Sequence, residues 1–553
     1  MDGARLYGRT VGSFTADGAV HEDLERVCTL LETVGAPYFL VPTERGCVST
    51  RVVGVEERHR DAILAQAARQ FLHTAVFVGT VGPHNTMTTV ALWADRSLPR
   101  SVLRAGVLRI GSVRLGPEGQ VLSGLETGCD IEFWRNGRDL DESGTDLSWL
   151  TVPGRQLSDT FSQALVAPRP NAVTEVLPEA ARQSAAVTVG PREVPTCVPF
   201  AEPGVDEVRF PVDAVYTWVD GEDPAMAAKR RAHQALSGNV IAARETGPSR
   251  YTSHDELRYA LRSLEMYAGF IRHVYLVTDS QTPSWLDPEG ITVVDHRDIL
   301  PAGALPVFNS HAIESRLHRI PGLSEHYLYF NDDVFINRPV RAEHFFHGNG
   351  IARVPLSPLK LGVGAPHPLE PAPNSAGKNA REVIRRFHGR NITHKSLHTP
   401  HPQLLSVMRE MESLGIEELR RTSYSRFRST TDVAPASTLH HHWAMATGQA
   451  IAAGYRFRYV QLGAPDMRRR LARLAAGEDV DFFCLNDVDT APEARAEARR
   501  GIRDFLERKY PFPSRFERAP APASGAAAPA DSAAAFRGVR TRRSPQRASD
   551  HHC

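Results

Sequence analysis

Residues 326–336 read HYLYFNDDVFI. Aromatic and branched residues of strand type run up to Phe330 and resume at Val334, and between them stand Asn331 and the adjacent acids Asp332 and Asp333. A buried, unpaired carboxylate is costly, so these acids must meet solvent, a cation or a substrate. Their position is that of a strand exit, where paired acids commonly hold a divalent ion on the phosphates of a nucleotide. A solvated Asp-Asp turn is the plain alternative.

Working outward, the preceding FNSHAIESRLHRIPGL (308–323) has helical spacing. Ile313, Leu317 and Ile320 share one face, His311, Glu314 and His318 another, and Pro321-Gly322 ends the segment. Further upstream, VDAVYTWVDG (212–221) predicts a strand that leaves the sheet at Asp220-Gly221. SHDELRYALRSLEMY (253–267) predicts a helix with Ser253 as N-cap and Glu256 three residues later, the capping-box spacing. HVYLVTD (273–279) and ITVVD (291–295) predict two more strands. Strand, helix, strand with polar residues at the exits is the pattern of an open α/β sheet, which binds ligands beyond the carboxyl ends of its strands.

The rest of the chain frames this region. Its 553 residues, 42% hydrophobic and 23% charged, allow several domains. A net charge of +1 argues against a nucleic-acid binder working through bulk electrostatics. Six scattered cysteines (28, 47, 129, 197, 484, 553) form no Cys-x-x-Cys pair and read as reduced cytoplasmic thiols. No run approaches a membrane span, so the expectation is a soluble cytoplasmic protein, with peripheral attachment at the inner face of the membrane left open.

Residues 1–165 alternate short strand-like runs (APYFLV, TAVFVGTV, TTVALWA, CDIEFW) with the amphipathic RHRDAILAQAARQFL, which predicts a small α+β domain. Residues 166–205, rich in Pro, Ala, Val and Thr, read as linker, and 519–553 as a disordered, low-complexity tail. The expected fold class is therefore α/β. Residues 206–518 are expected to form an open, mostly parallel sheet of Rossmann-like or GT-A-like type, preceded by the α+β domain.

Four blocks are similar to the Stealth family of sugar-phosphate transferases, which includes capsule and exopolysaccharide phosphotransferases and the lysosomal-enzyme N-acetylglucosamine-1-phosphotransferase. They are VDAVYTWVDG; DELRYALRSLEMYAGFIRHVYLVTDSQTPSWL through NDDVFI; HTPHP through FRSTTD; and DFFCLNDVDT through YPFPSRFE. The resemblance implies transfer of a sugar 1-phosphate from a nucleotide sugar, a UDP-sugar foremost, to a hydroxyl of a glycan acceptor, with Mg²⁺ or Mn²⁺ as cofactor. Such chemistry needs charge neutralisation on phosphate, in-line positioning and a base for the hydroxyl.

The resemblance implies Asp333, with Asp332, as metal ligand, and Glu314 as an acid that orients substrate or metal. It also implies His398 as catalytic histidine and Arg428 as phosphate fork, with Asp432 matching the same motif. Ser310 and His311 are counted with the substrate-binding residues. Trp218, Asp220 and Gly221 at the first strand exit, and Asp279 and Gln281 at the second, are expected to shape the nucleotide pocket. Arg258 and Arg262 carry two readings: they reach phosphate, or they clamp the fold through carboxylates. Asn486, Asp487 and Asp489 lack the glycine and closing glutamate of a calcium loop and read as scaffold near the site. The alternatives are a metal-dependent nucleotide-sugar glycosyltransferase and a non-catalytic polysaccharide-binding protein.

Overall fold

A computed structural model describes residues 5–43, 50–82, 85–151, 158–236, 251, 253–487, 490, 492–519 and 537–540. The chain forms a mixed α/β structure with several sheets, in two compact units that divide between Pro203 and Gly204.

The first unit is built on a mixed sheet. The expected strands are present at Tyr38–Val41, Val76–Val81, Met87–Leu92 and Cys129–Asn136, and the expected helix at Arg60–Gln70. A longer helix, Ala16–Val34, escaped the sequence reading although its ends are well marked. Thr15 accepts a hydrogen bond from Gly18 N at the start, and Gly35 closes the end in the left-handed region (φ 70°). The stretch expected to be linker instead carries strands Leu165–Val166, Val176–Leu177, Ser184–Val189 and Arg192–Cys197 and belongs to this unit. Its first hairpin strand, Ser184–Val189, does alternate between exposed and more buried residues, but the less exposed positions are Ala185, Val187 and Val189 in a Pro-, Ala- and Thr-rich stretch, a weak apolar signal. Within the tail expected to be disordered, residues 537–540 form a strand antiparallel to Arg5–Thr10. Most of the remaining tail lies outside the described residues.

The second unit holds the region singled out above. Its strands, numbered here within the unit, are β1 (Val212–Thr217), β2 (Ile271–Thr278), β3 (Thr292–Asp295), β4 (His326–Asn331), β5 (Val334–Ile336), β6 (Ala352–Lys360), β7 (His394–Ser396), β8 (His401–Leu404), β9 (Ala450–Ala453), β10 (Phe457–Gln461) and β11 (Phe482–Asn486). The central sheet has the order β3-β2-β1-β4-β8, parallel throughout except for the antiparallel edge strand β8. Strand order therefore reverses between β1 and β4, and a crevice opens beyond the carboxyl ends of such a pair. Two smaller sheets, β5-β11-β10 and β7-β6-β9, flank the central one.

Continuous burial along β1 and in the middle of β4 explains their near-unbroken apolar sequence. Asp213, the one acid within β1, is fully buried and forks onto Arg272, with 2.8 and 2.6 Å contacts. Helix α1 (Glu256–Tyr267) packs Leu257, Leu261 and Leu264 inward as its spacing predicts. Its start differs from the expectation. Asp255, not Ser253, is the capping residue, in the left-handed region (φ 65°), and the helix begins at Glu256. The Glu256 carboxylate turns back to accept from His254 N at 2.5 Å.

Residues 310–320 also differ. They form a short helix α2 (Ser310–Glu314) and a separate 3-10 turn, Leu317–Arg319. Ile313, Leu317 and Ile320 enter the core as expected, but His311, Glu314 and His318 are buried as well.

Candidate active site

A cleft of about 510 Å³ lies in the second unit at the carboxyl ends of β1 and β4. Of the residues singled out in the sequence, Trp218, Ser310, Asp332, Asp333, His398 and Arg428 line it. Three elements converge there by register. Strand β4 delivers Asn331, and the turn after it presents Asp332 and Asp333. Strand β8 runs antiparallel to β4 with Tyr329 opposite His401, so the chain just before β8 brings His398 to the level of the turn. Strand β5 pairs with β11, Val334 opposite Cys484, which sets Cys484 and Asn486 against Asp333.

The contacts follow from this. Asp333 Oδ1 lies 3.2 Å from His398 Nε2, and Oδ2 accepts from Cys484 Sγ at 3.2 Å and Asn486 Nδ2 at 3.0 Å. Asn331 Nδ2 is 3.1 Å from the same His398 nitrogen, and Asn331 Oδ1 accepts from the Tyr329 hydroxyl at 2.7 Å. Burial pushes the Asp333 carboxyl up, but the charge and hydrogen bond of His398, with Cys484 and Asn486, hold it below the usual range. Burial likewise depresses His398, and the charge and hydrogen bond of Asp333 more than reverse that, raising it above 6.5.

Asp332 behaves oppositely. Burial, then the charge of Asp333, raise its pKa to about 7. Glu256, also in the cleft wall, is held well above its ordinary range by burial and by the charge of Asp332. Burial and mutual repulsion hold Asp332 and Glu256 toward their protonated forms beside Asp333, which stays ionised, and a divalent cation would favour ionisation of all three. The buried Asn486 Oδ1, which has no hydrogen-bond partner among the described residues, adds a neutral oxygen beside them. This oxygen-rich set fits a hard cation. A second group overlaps it: ligand atoms of Asp333, His398 and Cys484 lie within 4.8 Å of one another and could hold a metal ion. Burial keeps the Cys484 thiol protonated, and it donates to Asp333.

Opposite the acids, α2 and the loop before Asp432 form the other wall. Arg428 Nη2 donates to Ser310 Oγ at 2.9 Å. Asn309 fixes this arrangement. Its Oδ1 accepts from His311 N at 3.1 Å, while its Nδ2 donates to Ser425 O at 3.1 Å and Asp432 Oδ2 at 2.9 Å. Asp432 also accepts from Ser429 N at 2.8 Å, so it shapes the loop that presents Arg428 and does not line the cleft. Glu314 sits behind the wall, accepting from Ala436 N at 3.3 Å, with its carboxyl raised by burial against the pull of Arg428. His311 is buried beside it and is not part of the lining.

Other expected residues play supporting parts. Gln281 accepts from Asp220 N and donates to Asp220 O, both at 3.0 Å, which locks the loops after β1 and β2 together. At Gly221 a Cβ would lie 2.2 Å from Tyr251 Cβ, so only glycine lets that tyrosine reach the cleft wall. Asp279 is taken by Lys229 Nζ at 2.7 Å. Arg258 and Arg262 realise the clamp reading. Arg262 forks onto Glu517 at 2.6 and 2.8 Å and donates to Tyr510 O, and Arg258 meets the same carboxylate at 2.5 Å. Neither lines the cleft.

Glu256, Asn331, Cys484 and Asn486 were not assigned to the site from sequence. Asn331 and Asn486 each sit at a strand end next to an acid, a signal that was visible. The place of Cys484 depends on the pairing of β5 with a strand about 150 residues away, which no local pattern reveals.

Comparison with known proteins now decides the family. Models of the four Stealth conserved regions match residues 210–232, 250–354, 397–445 and 472–527. Two exopolysaccharide phosphotransferases of Streptomyces coelicolor are 40% and 37% identical, over 91% and 90% of this chain and 83% and 84% of their own. The chain is a transferase of the Stealth family. The exopolysaccharide phosphotransferase CpsY of Mycobacterium leprae is 39% identical over 57% of this chain and 58% of its own. Among the described residues, no helix is long and apolar enough to cross a membrane.

Proposed function

We propose that this Stealth protein transfers a sugar 1-phosphate from a nucleotide sugar to a glycan hydroxyl, forming a phosphodiester in exopolysaccharide or capsule synthesis. The observation that carries the reading is the convergence of Asp332, Asp333, His398 and Arg428 on one cleft at a strand-order reversal. That reversal also supports a Rossmann-like or GT-A-like reading of the central sheet. The relatives' printed names support the exopolysaccharide context.

Asp333, Asp332 and Glu256 are the residues that would hold Mg²⁺ or Mn²⁺, and a bound divalent ion supplies charge neutralisation on phosphate oxygens. Arg428, held by Ser310, offers a permanently charged planar fork to the same phosphate from the opposite wall. His398 Nε2 lies between a donor, Asn331 Nδ2, and an acceptor, Asp333 Oδ1. Its neutral form accepts from Asn331 and its protonated form donates to Asp333, so both states of a proton acceptor are provided for. An acceptor hydroxyl that replaces Asn331 as donor passes its proton to Nε2, and Asp333 stabilises the resulting imidazolium. The hydroxyl oxygen bonds to phosphorus, and the nucleoside monophosphate leaves.

Peripheral membrane docking has its own support. Leu359, Val363 and Leu369 are 64, 92 and 84% exposed, on the segment that brings Leu361 and Pro371 to the cleft. The proposed function is tested by screening nucleotide sugars with purified protein and Mg²⁺ for release of nucleoside monophosphate. Release that stops with EDTA supports it. Release of nucleoside diphosphate instead supports the glycosyltransferase reading.

A further inference from the structure

The lining of the cleft is of two kinds. Besides the acids, His398 and Arg428, it includes Trp218, Val219, Met226, Tyr251, Val307 and Phe308, which give it apolar and aromatic walls. Phe308 is braced from behind by Phe427, stacked at 5.1 Å between ring centres. Among the lining residues is also His296, which follows directly after β3. It is 2% exposed, and neither ring nitrogen has a hydrogen-bond partner among the described residues.

The acids that could have satisfied it are already engaged. Asp279 accepts from Lys229 at 2.7 Å, and Asp295 accepts from Ser280 at 2.6 Å and Arg297 at 3.0 Å. A buried polar atom without a partner costs about 1–3 kcal/mol, and His296, which carries two, is a lining residue of the cleft. Burial also holds the imidazole down to about 4, against the pull of Asp279 and Asp295, so the ring is neutral near pH 7. A neutral imidazole offers one N–H donor and one acceptor and no charge, which suits a heterocycle edge and not a phosphate.

Position gives the complement. In the sheet order β3-β2-β1-β4, His296 and the Asn331–Asp333 turn sit at the ends of strands three places apart. At about 4.8 Å per strand that is about 14 Å, comparable with the reach from a nucleotide's phosphates to the far edge of its base. We propose that His296 reads the base of the nucleotide donor, whose faces lie against the aromatic and apolar walls while its phosphates reach the acid end. The inference rests on the donor reading above and adds the residue that selects among bases.

The test titrates UDP, CDP, ADP, GDP and inorganic diphosphate, with Mg²⁺, into the full chain and into His296→Ala and His296→Gln. The wild-type protein is expected to prefer one base. His296→Ala should weaken that nucleotide about tenfold and level the differences among the four, the size of one lost hydrogen bond, while inorganic diphosphate binds as before. His296→Gln, which keeps a donor and an acceptor, carries the test if the alanine variant does not fold, and its order of preference should change. Unaltered preference in both variants overturns the inference with the donor reading intact, as does equal weakening of diphosphate. Failure of the wild-type chain to bind any of the four nucleotides removes the donor reading, and the inference with it.

Discussion

His398 Nε2 lies 3.2 Å from Asp333 Oδ1, and each raises the charged state of the other: the imidazole is pulled above 6.5 and the carboxyl below its usual range. The pair joins the residue read as proton acceptor to the residue read as cation ligand. His398→Ala should lower the single-turnover rate roughly 10²–10⁴-fold, the range for losing a general base. Nucleotide binding should change little. Loss of donor affinity with the chemical rate preserved would make His398 a binding residue.

Asp333→Asn should abolish metal-dependent turnover and keep the fold, since the amide preserves the shape but not the charge. It also removes an acceptor from Cys484 and Asn486, so melting should be recorded alongside. Near-normal activity with unchanged Mg²⁺ dependence contradicts the assignment.

Arg428→Lys keeps the charge but loses the planar fork and its bond to Ser310. Both donor binding and turnover should fall. Ser310→Ala should produce a smaller version of the same defect, and the double variant should add little to Arg428→Lys if the two act as a unit. Simple additivity in that cycle would separate them.

Glu517→Ala should destabilise the second unit by about 3–5 kcal/mol, because it strands Arg262 in a largely buried site beside Arg258. The change should appear in thermal or urea unfolding. The Michaelis constants of the folded protein should stay as they were. A raised KM for the nucleotide sugar without loss of stability would restore the phosphate-binding reading of the two arginines.

Asp432 supplies a pH test of stability. Burial raises its carboxyl from 3.8 to about 6, opposed by Ser425, Ser429, Asn309 and Arg428. A carboxyl raised on folding binds its proton more tightly in the folded state. Its contribution to stability is therefore greatest below the unfolded value and is lost as pH rises through about 6, on the order of 3 kcal/mol in all. Asp432→Asn should abolish that dependence and gain on the wild type as pH rises from 4 to 7, seen in urea midpoints. A difference between the two that does not vary with pH contradicts the account.

The sequence made the central sheet legible because its strands are short, nearly continuous in apolar residues, and each ends on a polar exit. The same pattern placed Asp332, Asp333 and Trp218 in the cleft. Residues 310–320 misled because helical spacing cannot tell a solvent-facing polar stripe from one buried against a second element, as His318 is against Glu412 at 2.8 Å. Arg258 and Arg262 were ambiguous for a related reason. Their partner Glu517 comes some 250 residues later and belongs to no local pattern. His296 gave no signal at all, since its significance lies in partners it lacks.

Phosphorus-31 NMR of the product tests the central claim most directly. With a turned-over nucleotide sugar, an acceptor glycan and Mg²⁺, sugar 1-phosphate transfer predicts a new phosphodiester resonance on the glycan, growing in step with nucleoside monophosphate. Nucleoside diphosphate accumulating with no diester resonance would contradict it.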